Sequence, residues 1–367
     1  MQVASFPCEQ CGAKLEFAAG TAELQCPYCG HRQVIPESTD AVEERDFQAH
    51  LGRDLPGFFA ESETLLRCQS CAAEFTLGPL DASQKCPFCG SGVVVQSDPE
   101  RRIAPEGLVP FALDAREART KYRRWIQTRF WAPRDLKKRA EAGSTIRGIY
   151  TPFWTYDSDT RTRYTGMRGE HYWVTVNYTD SQGRTQTRSE RRTRWYPASG
   201  VVSVSFDDLL VLATRRLPDR YTRDMQTWGL GGIRPYEDAY LSGFQAMRYD
   251  VGLAAGFTTA KEMMAGQIES AIRFDIGGDE QQVHSRSTEY FNTTFKHVLL
   301  PVYSGAYRYR GRIWNFYVNG QTGKVAGQAP VSPWKVALAV MLGIAVASLI
   351  GYLIYLANAG SSGTGGY

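Results

Sequence analysis

Apolar residues along this 367-residue chain follow three patterns, and each predicts a different kind of element. From residue 148 onward apolar and polar positions mostly alternate, as they do on half-buried strands. Residues 172–178 (YWVTVNY) predict a strand, 180–183 a turn and 184–188 the returning strand. The stretch 160–164 alternates too, and apolar runs at 201–206 and 209–212 flank Asp207 and Asp208. A last hairpin is predicted over 302–309 and 313–318, turning at Arg310-Gly311 and followed by the turn-forming pair Asn319-Gly320. Two stretches carry a helical period instead. Asp114 with Glu117 forms a capping box ahead of the inward stripe Ala118, Tyr122, Trp125 and Ile126, and Pro133 opens a short second helix. A longer helix is predicted from Thr259, capped by Glu262, with Met264, Ile268, Ala271 and Ile272 facing inward.

The third pattern is unbroken. Residues 336–357 (VALAVMLGIAVASLIGYLIYLA) carry no charge. At about 1.5 Å per residue they make a helix of about 33 Å, enough to cross about 30 Å of hydrocarbon. Trp334 and Lys335 at one end, and Tyr352 and Tyr355 near the other, are typical interfacial residues. A transmembrane helix over 334–357 is expected, followed by a short Gly/Ser tail at 358–367. Lys335, Lys324 and Arg312 precede the span and no basic residue follows it. That asymmetry predicts a single pass through the cytoplasmic (inner) membrane, with the N-terminal domains cytoplasmic and the tail outside. Ala339, Gly343, Ala347 and Gly351 form one small-residue face, which predicts self-association or pairing with another membrane helix. The first residues have neither a basic nor an apolar run, so no secretory signal is read there.

All eight cysteines lie in the first 89 residues, as four Cys-x-x-Cys pairs. Cys8, Cys11, Cys26 and Cys29 recur sixty positions later as Cys68, Cys71, Cys86 and Cys89, and the phrase CPYCG returns as CPFCG. This is an internal duplication. Two residues between thiolates let both face one ion, and glycine after the second cysteine tolerates the tight backbone. Short strand-forming runs at 14–17, 23–25 and 33–35, and at 74–77 and 93–95, supply the hairpins. Two structural zinc ions, each held by four cysteines, are expected. Iron in the same tetrathiolate sites stays open on this evidence. With every ligand a cysteine, neither ion would keep a position for water, so the sites hold structure and do not catalyse.

Charge then ranks the functions. Residues 1–100 hold 6 basic and 15 acidic side chains, and residues 101–200 hold 21 basic and 10 acidic, inside an overall balance of +4. Each tetrathiolate zinc adds about −2, which makes the head a poor ligand for phosphates. Its exposed aromatics (Tyr28, Phe58, Phe59, Phe88) fit a protein partner better. The basic middle can face anionic lipid; a nucleic-acid-binding protein tethered to the membrane is the alternative reading. No Walker A sequence, zincin histidine pair or Gly-x-Ser-x-Gly elbow occurs. No enzyme is therefore expected, and an unrecognised site in the later domain is the weaker alternative. Asp207-Asp208 and Asp157/Asp159 could bind a metal, yet isolated acidic doublets are usually turn or surface residues.

The expected layout is zinc ribbon 1 at 1–36, an acidic linker at 37–64, zinc ribbon 2 at 65–97 and a basic helical segment at 98–147. An α+β domain rich in antiparallel strands at 148–330 precedes the span. The phrases WAPRDL (131–136), YTPFWTYD (150–157), FDDLLV (206–211), KHVLLP (296–301) and VNGQTGKV (318–325) add a resemblance. The chain resembles the bacterial TFIIB-type double zinc-ribbon membrane proteins, often labelled as relatives of the primosomal replication-restart helicase. No nucleotide-binding motif supports that label. The resemblance implies a membrane-stress adaptor with a partner like phage-shock protein A or a flotillin, and it carries over the eight cysteine ligands and no catalytic residue.

Overall fold

The alternating stretches fuse into strands far longer than the sequence pattern marks. The computed structural model describes residues 3–4, 6–36, 38, 41–51, 64–67, 74–77, 81–85, 92–95, 103–133, 135–136, 145–179, 183–225 and 228–361. The chain is mostly antiparallel sheet with a few helices. It forms two units. The first comprises Met1–Phe111, Ile149–Asp219 and Gly229–Pro301, and the second Ala112–Gly148, Arg220–Trp228 and Val302–Tyr367.

In the first unit, strand Thr145–Thr179, from Ile149 onward, runs antiparallel to Thr185–Leu212, paired from Phe153↔Leu212 to Thr179↔Thr185. The part of strand Glu280–Tyr309 that ends at Pro301 lies on its other side. Hydroxyls of Ser158, Thr162 and Thr165 meet those of Thr293, Thr288 and Ser285 at 3.0, 2.9 and 2.7 Å. One series climbs as the other descends, as antiparallel neighbours must. Gly166 lets the neighbouring strand approach closely. A Cβ at this position would fall on the backbone oxygen of Gln282.

Helix Leu253–Ile276 covers one face of these strands. Its buried residues Leu253, Phe257, Ala260, Met264, Ile268, Ile272 and Ile276 form a single stripe against Trp154, Tyr156, Tyr164, Phe206 and Phe295. The helix begins six residues before the Thr259/Glu262 start expected from sequence, and Gly252 caps it without a side-chain bond. The sheet ties that end instead. Trp154 Nε1–H donates to the Val251 carbonyl at 2.9 Å, and the Tyr156 hydroxyl to that of Leu253 at 2.7 Å. Gly256 is glycine because a Cβ there would press on the Tyr156 hydroxyl and the Trp154 ring.

The acidic stretch after the first cysteines is part of this core. Arg45–Asp46 pairs antiparallel with Thr294–Phe295, and Phe47 is buried with its ring 4.5 Å from that of Phe257. Gly107–Leu108 runs parallel to Val298–Leu299. Between these pairings lie two buried titratable groups, Glu106 and His297. The His297 backbone N–H donates to Glu106 Oε2, and Arg45 Nε sits 2.8 Å from Glu106 Oε1.

The second unit contains the predicted capped helix, Ala115–Gln127. Asp114 Oδ1 accepts from the Arg116 and Glu117 N–H groups at 2.8 and 2.7 Å, and Glu117 Oε2 accepts from Asp114 N–H at 2.9 Å. Its inward Tyr122 stacks on Phe316, ring centroids 3.6 Å apart. Phe316 belongs to the hairpin of residues 302–309 with Arg312–Asn319, which turns at Arg310 and Gly311, both at positive φ. Asn319 Oδ1 accepts from the N–H groups of Gln321 and Thr322, which shapes the Asn-Gly turn into strand Val325–Gly327. Of the short helix after Pro133, only 135–136 lie among the described residues. Helix Pro333–Ser361 follows. Its segment Pro333–Tyr355 is long and apolar enough to cross a membrane, with a mean hydropathy of 2.4 and none of that stretch buried.

Candidate metal centre

Four sulfurs converge at the head of the first unit. Strands Glu16–Phe17, Glu23–Gln25 and Arg32–Val34 form a three-stranded sheet with pairs Phe17↔Leu24 and Leu24↔Gln33. Leu15, Phe17, Leu24 and Ile35 fill a core too small to hold thirty residues without further support. Two matching turns bring the cysteines together. Gly12 N–H donates to the Cys8 carbonyl at 2.8 Å and Cys8 N–H to that of Ala13 at 2.6 Å. In the second turn Gly30 bonds to Cys26 at 3.1 Å and Cys26 to His31 at 2.8 Å, the same pattern eighteen residues on. Both glycines sit at positive φ, 72° and 77°. That conformation favours glycine at each turn.

The resulting geometry fits a tetrahedral ion. The Sγ atoms of Cys8, Cys11, Cys26 and Cys29 all lie within 4.8 Å of one another. Cys8 and Cys29 are 3.6 Å apart, and Cys11 and Cys26 3.5 Å. Four sulfurs at about 2.3 Å from one zinc stand about 3.8 Å apart. Cys8 and Cys26 are buried and Cys11 and Cys29 exposed, so the ion would sit at the surface of the small core. The backbone N–H of Cys29 pulls the Cys26 thiol down to about 6. Cys29 receives a lowering N–H from His31, yet burial and three neighbouring sulfurs push it up to about 12. Four thiolates this close need a cation to ionise together, so this cluster can hold a metal ion and its donor set is consistent with zinc.

The module is docked, not dangling. Phe17 N–H donates to the Ser242 carbonyl at 2.9 Å, and Ser242 Oγ donates to the Leu15 carbonyl at 2.7 Å. The Phe17 ring meets Tyr240 edge-on at 5.1 Å. Nothing in the local sequence around Phe17 signals this partner two hundred residues away. Tyr28 stays largely exposed.

The second cysteine set, Cys68, Cys71, Cys86 and Cys89, lies outside the described residues, as do Phe58, Phe59 and Phe88. Its strands are described, and they repeat the first copy's register. Glu23↔Val34, Leu24↔Gln33 and Gln25↔Arg32 pair in the first copy; Ser83↔Val94, Gln84↔Val93 and Lys85↔Gly92 pair in the second. Every position is displaced by sixty. The bridge Pro7↔Lys14 likewise returns as Arg67↔Glu74. The copies differ in their neighbours: Asp81–Lys85 pairs with Gln245–Met247 and Gly92–Val95 with Val3–Ala4, joining the large sheet.

The acidic doublets serve the fold. Asp208, at φ 48°, donates its N–H to Asp157 Oδ1, and Lys296 Nζ reaches Asp208 Oδ1 at 2.7 Å and Glu44 Oε1 at 3.1 Å. Burial, with Glu44 beside it, pushes Asp157 up to about 6. Asp159 accepts from Ser205 Oγ and Asn292 Nδ2. Among the described residues the four N-terminal cysteines are the cluster suited to a metal. On the apolar helix, Gly343 and Gly351 face open space, with nothing within 4 Å of an added Cβ.

No family model matches the chain. The chain is similar to the uncharacterized protein YdjG of Bacillus subtilis (strain 168), 25% identical over 344 residues, covering 91% of this chain and 92% of that protein.

Proposed function

We propose that the protein is a membrane-anchored zinc adaptor that docks a cytoplasmic protein at the inner membrane. One observation carries the reading: a compact module whose four cysteines can hold a metal ion and a helix of membrane-spanning length belong to the same chain. Both cysteine sets bind structural zinc in this reading, so two ribbons stand in tandem. The sixty-residue recurrence of strand register supports the second ribbon, because pairing repeated residue for residue is what a duplicated module leaves behind. The ribbons face the cytoplasm, the span is a single pass, and the Gly/Ser tail lies outside. The string of phrases shared with the bacterial TFIIB-type zinc-ribbon membrane proteins supports a partner like phage-shock protein A or a flotillin, and a role in membrane stress. Chemistry is left to that partner, and the chain contributes binding.

Two experiments test this. Full-length protein solubilised from membranes retains a stoichiometric protein partner, and a Cys8→Ser, Cys11→Ser double variant loses it; retention by the variant, or recovery of nucleic acid alone, would overturn the docking role. The span also pairs through Ala339, Gly343, Ala347 and Gly351. Crosslinking in membranes yields dimers that Gly343→Leu with Gly351→Leu reduces at least several-fold. Unchanged dimer yield would sink the pairing.

A further inference from the structure

Residues 129–132 make a tight loop at the end of helix Ala115–Gln127. Ala132 N–H donates to the Arg129 carbonyl at 3.2 Å, and Ala132 and Leu136 are buried. The Tyr309 hydroxyl donates to Asp135 Oδ1 at 3.0 Å, which fixes the far side of the loop. Between these inward anchors, Phe130 and Trp131 point out, 72% and 45% exposed. Large aromatic rings on a rigid loop, turned away from the core, cost solvation unless something apolar covers them.

The start of the apolar helix is fastened to the same loop. Lys335 Nζ donates to the carbonyls of Phe130 and Ala132 at 2.6 and 2.8 Å, and Ser332 N–H donates to that of Trp131 at 2.8 Å. The Lys335 ammonium also lies 5.3 Å from the Phe130 ring. Trp334, exposed like Phe130, and Val331 complete the patch at the mouth of the span. A sequence reading sees only Trp334 and Lys335 there, because Phe130 and Trp131 are two hundred residues earlier in the chain.

We infer that Phe130, Trp131 and Trp334 form an interfacial collar that seats this unit in the bilayer's headgroup region. The inference rests on reading 333–355 as a membrane span. What covers the rings is lipid: they adjoin the first turn of an unburied apolar helix, and Trp beside Lys is the composition of a membrane–water boundary. The loop and the span are joined by three hydrogen bonds and not by a slack linker. The collar thereby fixes how deep the unit sits and which face it turns to the membrane.

The test uses full-length protein in liposomes whose acyl chains are brominated near the headgroup, with tryptophan fluorescence as the readout. The chain has eight tryptophans. Trp131→Phe removes about half of the quenchable emission and Trp334→Phe removes a similar share, since both rings sit at the boundary. If Trp334→Phe lowers the quenched share and Trp131→Phe leaves it intact, the collar is wrong and the span stands. If bromolipids quench nothing that Trp334→Phe abolishes, the span reading falls and takes the collar with it. Trp131 is exposed, so phenylalanine there leaves the fold in place.

Discussion

A Cys26→Ser variant loses about one metal equivalent per chain, and its 6–36 segment becomes the first site of proteolysis. The reason lies in the size of the module. Leu15, Phe17, Leu24 and Ile35, with Cys8 and Cys26, are the buried apolar residues described in residues 6–36. So few side chains cannot offset the backbone entropy of thirty ordered residues, and structural zinc contributes on the order of 10 kcal/mol to such modules. Cys26 is a buried ligand whose thiol the Cys29 backbone N–H holds down near 6. Serine is close in shape but replaces a soft thiolate with a hydroxyl that stays protonated, so three ligands remain around an incomplete shell. The damage is local, because the sheet and helix Leu253–Ile276 keep their own core. Limited proteolysis with mapped cleavage sites reads the outcome, and a variant as resistant as wild type with full metal content contradicts it.

Acid should act on Glu106 and His297 in opposite directions, so substituting either one exposes the other. Burial pushes Glu106 up to about 7, with the His297 backbone N–H and Arg45 pulling the other way. A raised carboxyl adds stability that is fully present below its unfolded value near 4.5 and is lost as pH rises through 7. Burial drops His297 to about 4, with Arg45 adding to the effect. Its Nδ1 faces the Ile103 carbonyl at 2.9 Å, its ring packs on Trp154 and Tyr249, and its Nε2 has no partner among the described residues. A depressed histidine adds stability that is present above its unfolded value near 6.5 and is lost as pH falls through 4. Each shift is worth about 3 kcal/mol across its window, and in the wild type they largely cancel. Glu106→Gln should therefore become less stable than wild type on going from pH 7 to 4.5, by about 3 kcal/mol more. His297→Gln should move the opposite way. Urea unfolding of the detergent-solubilised protein at both pH values separates these signs; parallel curves for all three proteins would refute the opposition.

The sequence revealed most where its signals are short in range. A Cys-x-x-Cys pair with its glycine specifies a turn within five residues, so the Cys8/Cys11 and Cys26/Cys29 knuckles were readable and their sulfurs meet. The Asp114/Glu117 cap was readable for the same reason. What sequence could not show depends on partners far along the chain. The pattern marked strands at 160–164 and 172–178, yet both lie inside one 35-residue strand, with Gly166 and Gly169 between them where neighbouring strands press close. The helix start moved from Thr259 back to Leu253 because Trp154 and Tyr156, a hundred residues earlier, supply its bonds. Phe47 sat in a stretch read as linker, although it fills the core beneath Phe257. Apolar continuity alone sufficed to mark a helix long and apolar enough to cross a membrane, which needs no partner to be recognised.

The proposed adaptor role requires a tandem pair of tetrathiolate zinc ribbons on a membrane tether. Zinc-edge X-ray absorption on full-length protein, normalised to chain concentration, tests it most directly. About two zinc ions per chain are expected, each surrounded by four sulfurs at about 2.3 Å. About one ion per chain, iron in its place, or nitrogen and oxygen ligands in the shell would contradict it.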